Sequence, residues 1–283
     1  MPETEKNVLG VSDASYLRPL LYGLRDSSAG VELLFDLPSQ IAVKLQQRIG
    51  AIRCAFLSPI DYARHGGEYL IVPGVGVSSS SPSDTIQLFI NPNVRNIHTI
   101  AVDISVTSEI ILAKIILAEK FPNEDDAEGV LQYVPMLPNR EEMLRKADAA
   151  LIVNFHPQSH PQAEPFALDL VDEWNDLTGL PYVHGIWVCH EDSPSAQLAE
   201  KLVRARDQGV AHLMENAEIL SRERNISREL SKEYLATFSF DLGEEEQAGL
   251  SEFIRYAYFH GVLPDVPELN FLEEPLPPAQ SIN

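Results

Sequence analysis

Hydroxyls crowd the stretch Ser78-Ser79-Ser80-Ser81-Pro82-Ser83-Asp84-Thr85. They are neutral donors and acceptors, so they can hold a carboxylate or hydroxyl ligand without titrating. Apolar runs over 69–77 and 85–90 flank the stretch and read as strands, with the serines in the turn between them. Such a turn is ordinarily a solvated loop. Its place, where the chain would pass from one lobe to another, makes it a candidate ligand contact. A second hydroxyl group of residues, Ser105, Thr107 and Ser108, precedes an apolar helix expected over 109–120. Free N–H groups and the helix dipole favour an anion at such an end, although N-capping alone explains the same residues.

Other chemistry is less well supported by the sequence. His156 and His160 have the four-residue spacing of a helical metal pair, but Pro157 and Pro161 interrupt any helix there and no Glu follows His156. A solvated loop is the better reading, and no metal site is expected. Cys54 and Cys189 both lie in apolar, strand-like runs, where buried free thiols are the rule. The formal charge of −21 argues against nucleic acid, whose binding rests on Lys and Arg neutralising phosphates, and against an anionic membrane surface. A small anion is still admissible, because at physiological salt the field is screened beyond about 8 Å. With a polar, acidic start and no apolar run near the roughly 18 residues of a membrane span, a cytoplasmic protein is expected.

The elements that must position these residues follow an α/β rhythm. Strands are expected over 8–11, 31–35 and 52–57, and a helix opens at Pro38-Ser39 with Ile41, Ala42, Leu45 and Ile49 on one face. Ser12 and Asp13 can cap a helix whose first turn holds Pro19. Ser58-Pro59 repeats that pattern after the third strand. A mostly parallel sheet follows, with ligands beyond its strand C-termini. Asn91-Pro92-Asn93 reads as the crossover into a second lobe with strands over 99–102, 130–134 and 149–153 and helices over 139–146 and 168–177. The strand over 182–189 returns the chain to the first lobe. Residues 1–90 and 190–283 thus form lobe one and 91–189 lobe two. Helices are expected from 193 to about 208 and over 244–261. The charged run over 216–238 reads as a solvated face, and the Pro-rich tail from Glu273 as loose.

Several of these stretches, taken in order, resemble the chorismate dehydratase family of the futalosine route to menaquinone. They are Leu57-Ser58-Pro59-Ile60-Asp61-Tyr62-Ala63, Tyr69-Leu70-Ile71-Val72-Pro73-Gly74, Val77-Ser78-Ser79, Ala147-Asp148-Ala149-Ala150-Leu151-Ile152, Trp174-Asn175-Asp176-Leu177-Thr178-Gly179-Leu180-Pro181-Tyr182-Val183 and Phe240-Asp241-Leu242-Gly243. Each motif alone is weak; together they span nearly the whole chain. The resemblance implies a fold like the type 2 periplasmic-binding proteins, with two α/β lobes around a cleft. It implies loss of water from chorismate to give 3-[(1-carboxyvinyl)oxy]benzoate, with no cofactor because aromatisation of the ring supplies the driving force. It implies Ser78, Ser79 and Thr85 on the lobe-one side, joined by Ser58, and Ser105, Thr107, Ser108 and Asn154 on the lobe-two side, around a small-molecule carboxylate.

The departures are specific. The family's first motif reads Ser-Tyr-Leu-Asn, two residues, then Pro-Leu. Anchored on Pro19-Leu20, Tyr16 stands where the family has its active-site Asn; anchored on Ser15-Tyr16-Leu17, Arg18 does. Tyr16 is therefore the candidate catalytic replacement, beside Ser78 and Ser79. Asn154 stands where the family has Gly-Asp, and Glu109 follows Ser108 where the family has an Arg nearby. Two other functions stay open. One is a non-catalytic carboxylate-binding protein on the same scaffold. The other is the related enzyme that releases dihydroxynaphthoate from a cyclised futalosine, which needs a His base such as His184 or His156.

Overall fold

Among the described residues, the short apolar runs expected as strands pair into two five-stranded sheets. The computed structural model describes residues 7–25, 30–103, 106–121, 131–153, 166–192 and 195–273. Its strands are β1 (Asn7–Val11), β2 (Val31–Phe35), β3 (Ile52–Leu57), β4 (Tyr69–Ser79), β5 (Ile86–Ile90), β6 (Thr99–Asp103), β7 (Gln132–Met136), β8 (Ala149–Val153), β9 (Ala167–Asp169) and β10 (Tyr182–His190). Its helices are α1 (Arg18–Leu21), α2 (Pro38–Gln46), α3 (Pro59–Ala63), α4 (Ser108–Lys120), α5 (Arg140–Lys146), α6 (Leu170–Thr178), α7 (Ala196–Ala211), α8 (Leu213–Arg224), α9 (Arg228–Ala236) and α10 (Glu244–Phe259).

Sheet one has the order β2-β1-β3-β10-β4 and sheet two β7-β6-β8-β5-β9. Neither is simply parallel. β1 runs parallel to β2 and β3, but β10 runs against β3 and β4. β6 runs parallel to β7 and β8, but β5 runs against β8 and β9. In each sheet the reversed strand is the one the chain enters after crossing from the other. β10 is buried along its whole length, which accounts for its continuous apolar run in place of a two-residue alternation.

The crossings fall earlier than the sequence suggests. β5 pairs within sheet two, so the chain changes sheets between β4 and β5, through 80–85. Asn91 and Asn93 instead close a local turn, with the Asn93 N–H donating to Asn91 Oδ1 at 3.1 Å. The return occurs before β10, after Gly179, whose φ of 69° ends α6 in the left-handed region. Sheet membership therefore gives β5 to lobe two and β10 to lobe one, in place of boundaries at 90 and 189. Ser78 and Ser79 are the last residues of β4, not part of the turn. The helix expected from 168 starts at Leu170, because Ala167–Asp169 forms edge strand β9 and the Asp169 side chain caps the helix. The charged run over 216–238 folds into most of α8 and all of α9, hinged at Asn225 in the left-handed region, with Ala217, Leu220, Tyr234 and Leu235 buried.

The core has two main bodies. One lies between sheet one and α1, α7 and α8, through Leu17, Leu20, Leu202 and Leu220. The other is continuous from sheet one through α10 and α4 into sheet two. Trp174 of α6, fully buried, meets Tyr182, Phe253 and Tyr256 edge-on there. Cys54 and Cys189 stand opposite one another on β3 and β10 as buried free thiols. Gly185, Gly209 and Gly249 are required by contact with neighbouring backbone, Gly209 most tightly. Gly209 of α7 lies against the Pro19 backbone, and a Cβ there would overlap the Pro19 carbonyl. Gly209→Ala is expected to cost roughly 2–3 kcal/mol, the upper part of the overpacking range, because backbone cannot yield as a side chain would. A urea titration midpoint equal to wild type would contradict this.

Candidate functional site

The lobes meet at the C-terminal ends of their parallel strands. From sheet one, β3 runs into Ser58, β4 ends at Ser79, and β10 starts beside them at Tyr182. From sheet two, β6 ends at Asp103, and α4 begins at Ser108. This is where open α/β sheets hold ligands.

Hydroxyls from the two lobes clasp one another across this junction. Ser58 caps α3, accepting the Asp61 N–H at 3.3 Å and donating to Asp61 Oδ2 at 2.7 Å. Thr107 Oγ1 donates to the same carboxylate oxygen at 3.1 Å, and Ser108 Oγ accepts the Ile60 N–H at 3.1 Å. Burial pushes the Asp61 carboxyl up, with the Ser58 and Thr107 hydroxyls and then Arg64 opposing the shift. The hydroxyls of Ser58, Thr107 and Ser108, expected beside a carboxylate ligand, stand together at the lobe junction: Ser58 and Thr107 share Asp61 and lie 3.2 Å apart, and Ser108 holds the Ile60 N–H. The sequence could show that they cap helices, but not that the two caps meet.

Behind the clasp lies a second cluster. Ser79 Oγ is 2.7 Å from His184 Nε2. The His184 ring is boxed by Tyr16 at 5.2 Å, Tyr182 at 5.1 Å and Phe238 at 5.2 Å between centroids. Burial brings the His184 pKa down to about 3, so the imidazole is neutral at ordinary pH. Burial likewise pushes the Tyr16 and Tyr182 phenols well up, and the Glu109 carboxyl adds to both shifts from across the cleft. Glu109 is itself raised, by burial first and then by Asp61 and Asp103, against hydrogen bonds from its own N–H and that of Thr107. Among the described residues, Ser78 Oγ and the Tyr182 hydroxyl are buried without a hydrogen-bond partner.

Side-chain direction separates the two anchors of the first motif. Tyr16 joins the aromatic box around His184, whereas Arg18 pairs with Glu223 of α8 and is lowered to about 10 by burial and by Arg25. Tyr16 is thus the residue of that motif beside the cleft. Thr85 is fully buried, and its hydroxyl donates to Ser83 O at 3.2 Å within the turn. Asp169 secures the same turn, accepting from Ser83 N, Asp84 N and Gln87 Nε2 at 3.1, 2.8 and 2.8 Å. A cavity of about 110 Å³ opens beside it, lined in part by Ser83, Asp84, Leu230 and Tyr234. The larger groove, about 450 Å³, lies between α10 and residues 266–271 and includes none of the cleft residues. Ser105, Asn154, His156 and His160 lie outside the described residues. Among the described residues no cluster of His, Cys, Asp and Glu is placed to hold a metal, and no helix is long and apolar enough to cross a membrane.

A family model described as menaquinone biosynthesis matches residues 8–259. The chain belongs to the menaquinone biosynthesis family. Within reach of this family, the chain is 25% identical over 257 residues to a protein named chorismate dehydratase from Thermus thermophilus, covering 87% of this chain and 93% of that one. Protein AF1704 from Archaeoglobus fulgidus shares the fold with a TM-score of 0.66 at 18% identity, over 92% of this chain and all of that one. The periplasmic aliphatic sulphonate binding protein SsuA from Escherichia coli does so with a TM-score of 0.60 at 13% identity, over 94% and 96% of the two chains. This member of the menaquinone biosynthesis family therefore has the two-lobed α/β fold of the periplasmic-binding proteins. Asp61 and Tyr182 also stand at this junction; both lie in stretches that carry the family resemblance, but nothing in those stretches marks them as site residues. A carboxylate three residues after a capping Ser, and a polar-tipped aromatic opening a buried strand, are the signals that could have found them.

Proposed function

We propose that the protein is a cytoplasmic chorismate dehydratase, a hydro-lyase that removes water from chorismate to give 3-[(1-carboxyvinyl)oxy]benzoate. The observation that carries this reading is the convergence of Tyr16, Ser79, Tyr182 and neutral His184 at the edge of sheet one, in a chain of the menaquinone biosynthesis family. The relationship to a protein named chorismate dehydratase supports it. Elimination from chorismate forms an aromatic ring, so it asks the protein for orientation and dryness more than for a strong catalyst. Buried hydroxyls supply orientation: Ser78 and Tyr182 have unspent hydrogen-bonding capacity that a ligand would fill. The Ser58–Asp61–Thr107 clasp keeps the two lobes together and water out.

A carboxylate-binding protein without catalysis is the second reading, favoured by Tyr16 in place of the family's Asn. Formation of the aromatic product by the purified protein, followed by its ultraviolet absorbance, separates the two. Turnover is expected, and chorismate recovered unchanged would leave only the binding reading. Ser79→Ala is expected to weaken binding of chorismate and of 3-hydroxybenzoate about tenfold or more, since a hydrogen bond to a charged group is worth roughly 1.5–3 kcal/mol. Calorimetry giving wild-type affinity for both ligands would remove Ser79 from the site.

A further inference from the structure

β10 is not a regular strand where it passes the cleft. Tyr182 pairs with Ser79 of β4 and Val183 with Ser78, but Gly185, not His184, pairs with Val77. His184 is therefore the extra residue of a bulge, in a strand that is buried along its whole length. A bulge interrupts the ladder, and beside a functional site it re-aims a side chain. Here it brings the His184 ring onto the neighbouring strand, with Nε2 2.7 Å from Ser79 Oγ. Gly185 makes the bulge possible, because a Cβ there would meet the Phe56 ring and the Leu57 carbonyl of β3. Tyr16, Tyr182 and Phe238 then pack against the imidazole. Core packing alone would be served by a regular strand; the bulge serves the contact with Ser79.

The direction of that bond decides what Ser79 can do. A neutral imidazole carries one N–H, and a serine hydroxyl has one proton and two lone pairs. If Nε2 accepts, the Ser79 proton is spent on the histidine, and the oxygen meets a ligand with lone pairs alone. Such an oxygen repels a carboxylate. If Nε2–H donates, the Ser79 proton is free for the ligand, and the two bonds in series polarise one another. We propose that His184 is a positioning residue: its Nε2–H donates to Ser79 Oγ, so that the Ser79 hydroxyl donates in turn to a substrate carboxylate. This rests on the dehydratase reading, which makes chorismate, a dicarboxylate, the substrate. In this role His184 touches no substrate atom and transfers no proton. Burial keeps the ring neutral at ordinary pH, so it has the single N–H that the role requires.

Two measurements test this. The first reads the protonated nitrogen by magnetic resonance on wild type carrying isotope-labelled histidine, where the imidazole signals missing from His184→Gln belong to His184. A protonated Nε2 is expected, and a protonated Nδ1 with a bare Nε2 overturns the proposal. The second is calorimetry with 3-hydroxybenzoate. His184→Leu keeps an apolar group among the rings but has no donor. It is expected to weaken binding roughly tenfold, the worth of one hydrogen bond that feeds a charged group. His184→Gln, whose amide can donate to the Ser79 oxygen, is expected to stay within about threefold of wild type. In a Ser79→Ala background the Leu substitution should cost less than about twofold, because the group it acts through is gone. Equal losses in the two backgrounds would show that His184 only supports the fold, and would overturn the proposal. A Gln variant as weak as the Leu variant, or a Leu variant within about twofold of wild type, overturns it too. The tautomer is read on intact wild type, so it decides even where the Leu variant fails to fold. Chorismate left unchanged by the wild type would remove the dehydratase reading, while coupling measured with 3-hydroxybenzoate would still support His184 as the residue that orients Ser79. A wild type with no affinity for either ligand overturns both.

Discussion

Tyr16→Phe is expected to lower kcat for chorismate roughly 10²–10³-fold, the usual loss for one transition-state donor. The substitution keeps the ring that packs 5.2 Å from His184 and 5.5 Å from Phe238, and removes only the hydroxyl. Stability should therefore change little. Burial and the Glu109 carboxyl hold the Tyr16 phenol well above its ordinary value, so it stays a donor across the working range of pH. A phenol reaches further than the side-chain amide it replaces, but offers one donor where Asn offers two. The expected pattern is a fall in kcat with a near-normal KM and an unchanged melting temperature. An active wild type with an equally active Phe variant would mean that Tyr16 only fills space.

How much of this was legible in the sequence depended on how local the cause was. β3 and β8 begin and end where expected, because each is a short apolar run, and β3 is stopped by the capping Ser58. Asn139 caps α5 by accepting the Glu142 N–H, and Gly179 ends α6; both are signals of a few residues. Ser78 and Ser79 look like turn residues by composition. Pairing with Val183 and Tyr182 of β10 and a bridge from Ser78 to Ser239 hold them in a strand, and those partners are more than 100 positions away. Tertiary pairing overrode local preference there. Asn91-Pro92-Asn93 has the composition of a crossover, but composition does not say which sheet the flanking strand will join.

The site divides along the same line. Tyr16 and Ser79, which motif position marks, lie on either side of the His184 ring. Ser58, Thr107 and Ser108 were rightly seen as helix-end hydroxyls, yet Thr107 and Ser108 of lobe two find partners on α3 of lobe one, in Asp61 and the Ile60 N–H. A cap residue advertises a donor or acceptor; only the approach of the two lobes decides what takes it. Asp61 and Tyr182 acquire their meaning at that approach, which no window of sequence contains. Glu109 was visible as a departure in charge, and the structure adds that burial and two other carboxyls disfavour its anion.

His184 gives the protein an acid-sensitive core, and the loss is expected to be large. Its ordinary pKa of 6.5 falls to about 3 on folding because the ring is buried. Between those values the unfolded chain binds one more proton than the folded chain, so stability rises with pH and falls on acidification. One full proton corresponds to about 1.4 kcal/mol per pH unit, and the group's share of stability should drop by about 3 kcal/mol between about pH 7 and about pH 4. Asp61, Glu109 and Asp169 act in the opposite sense, because carboxyls raised in the folded state hold protons there more tightly. The wild-type curve is therefore a mixture, and a variant is needed to isolate the His184 share. Gln at position 184 can still bond Ser79 through its amide and does not titrate. Urea titrations of wild type and His184→Gln at several pH values provide the comparison, and the expected result is a wild-type advantage that shrinks by about 3 kcal/mol over that interval. A gap that stays constant from neutral to acid pH would mean that His184 takes up a proton within the folded protein, and the neutral imidazole beside Ser79 would have to be abandoned.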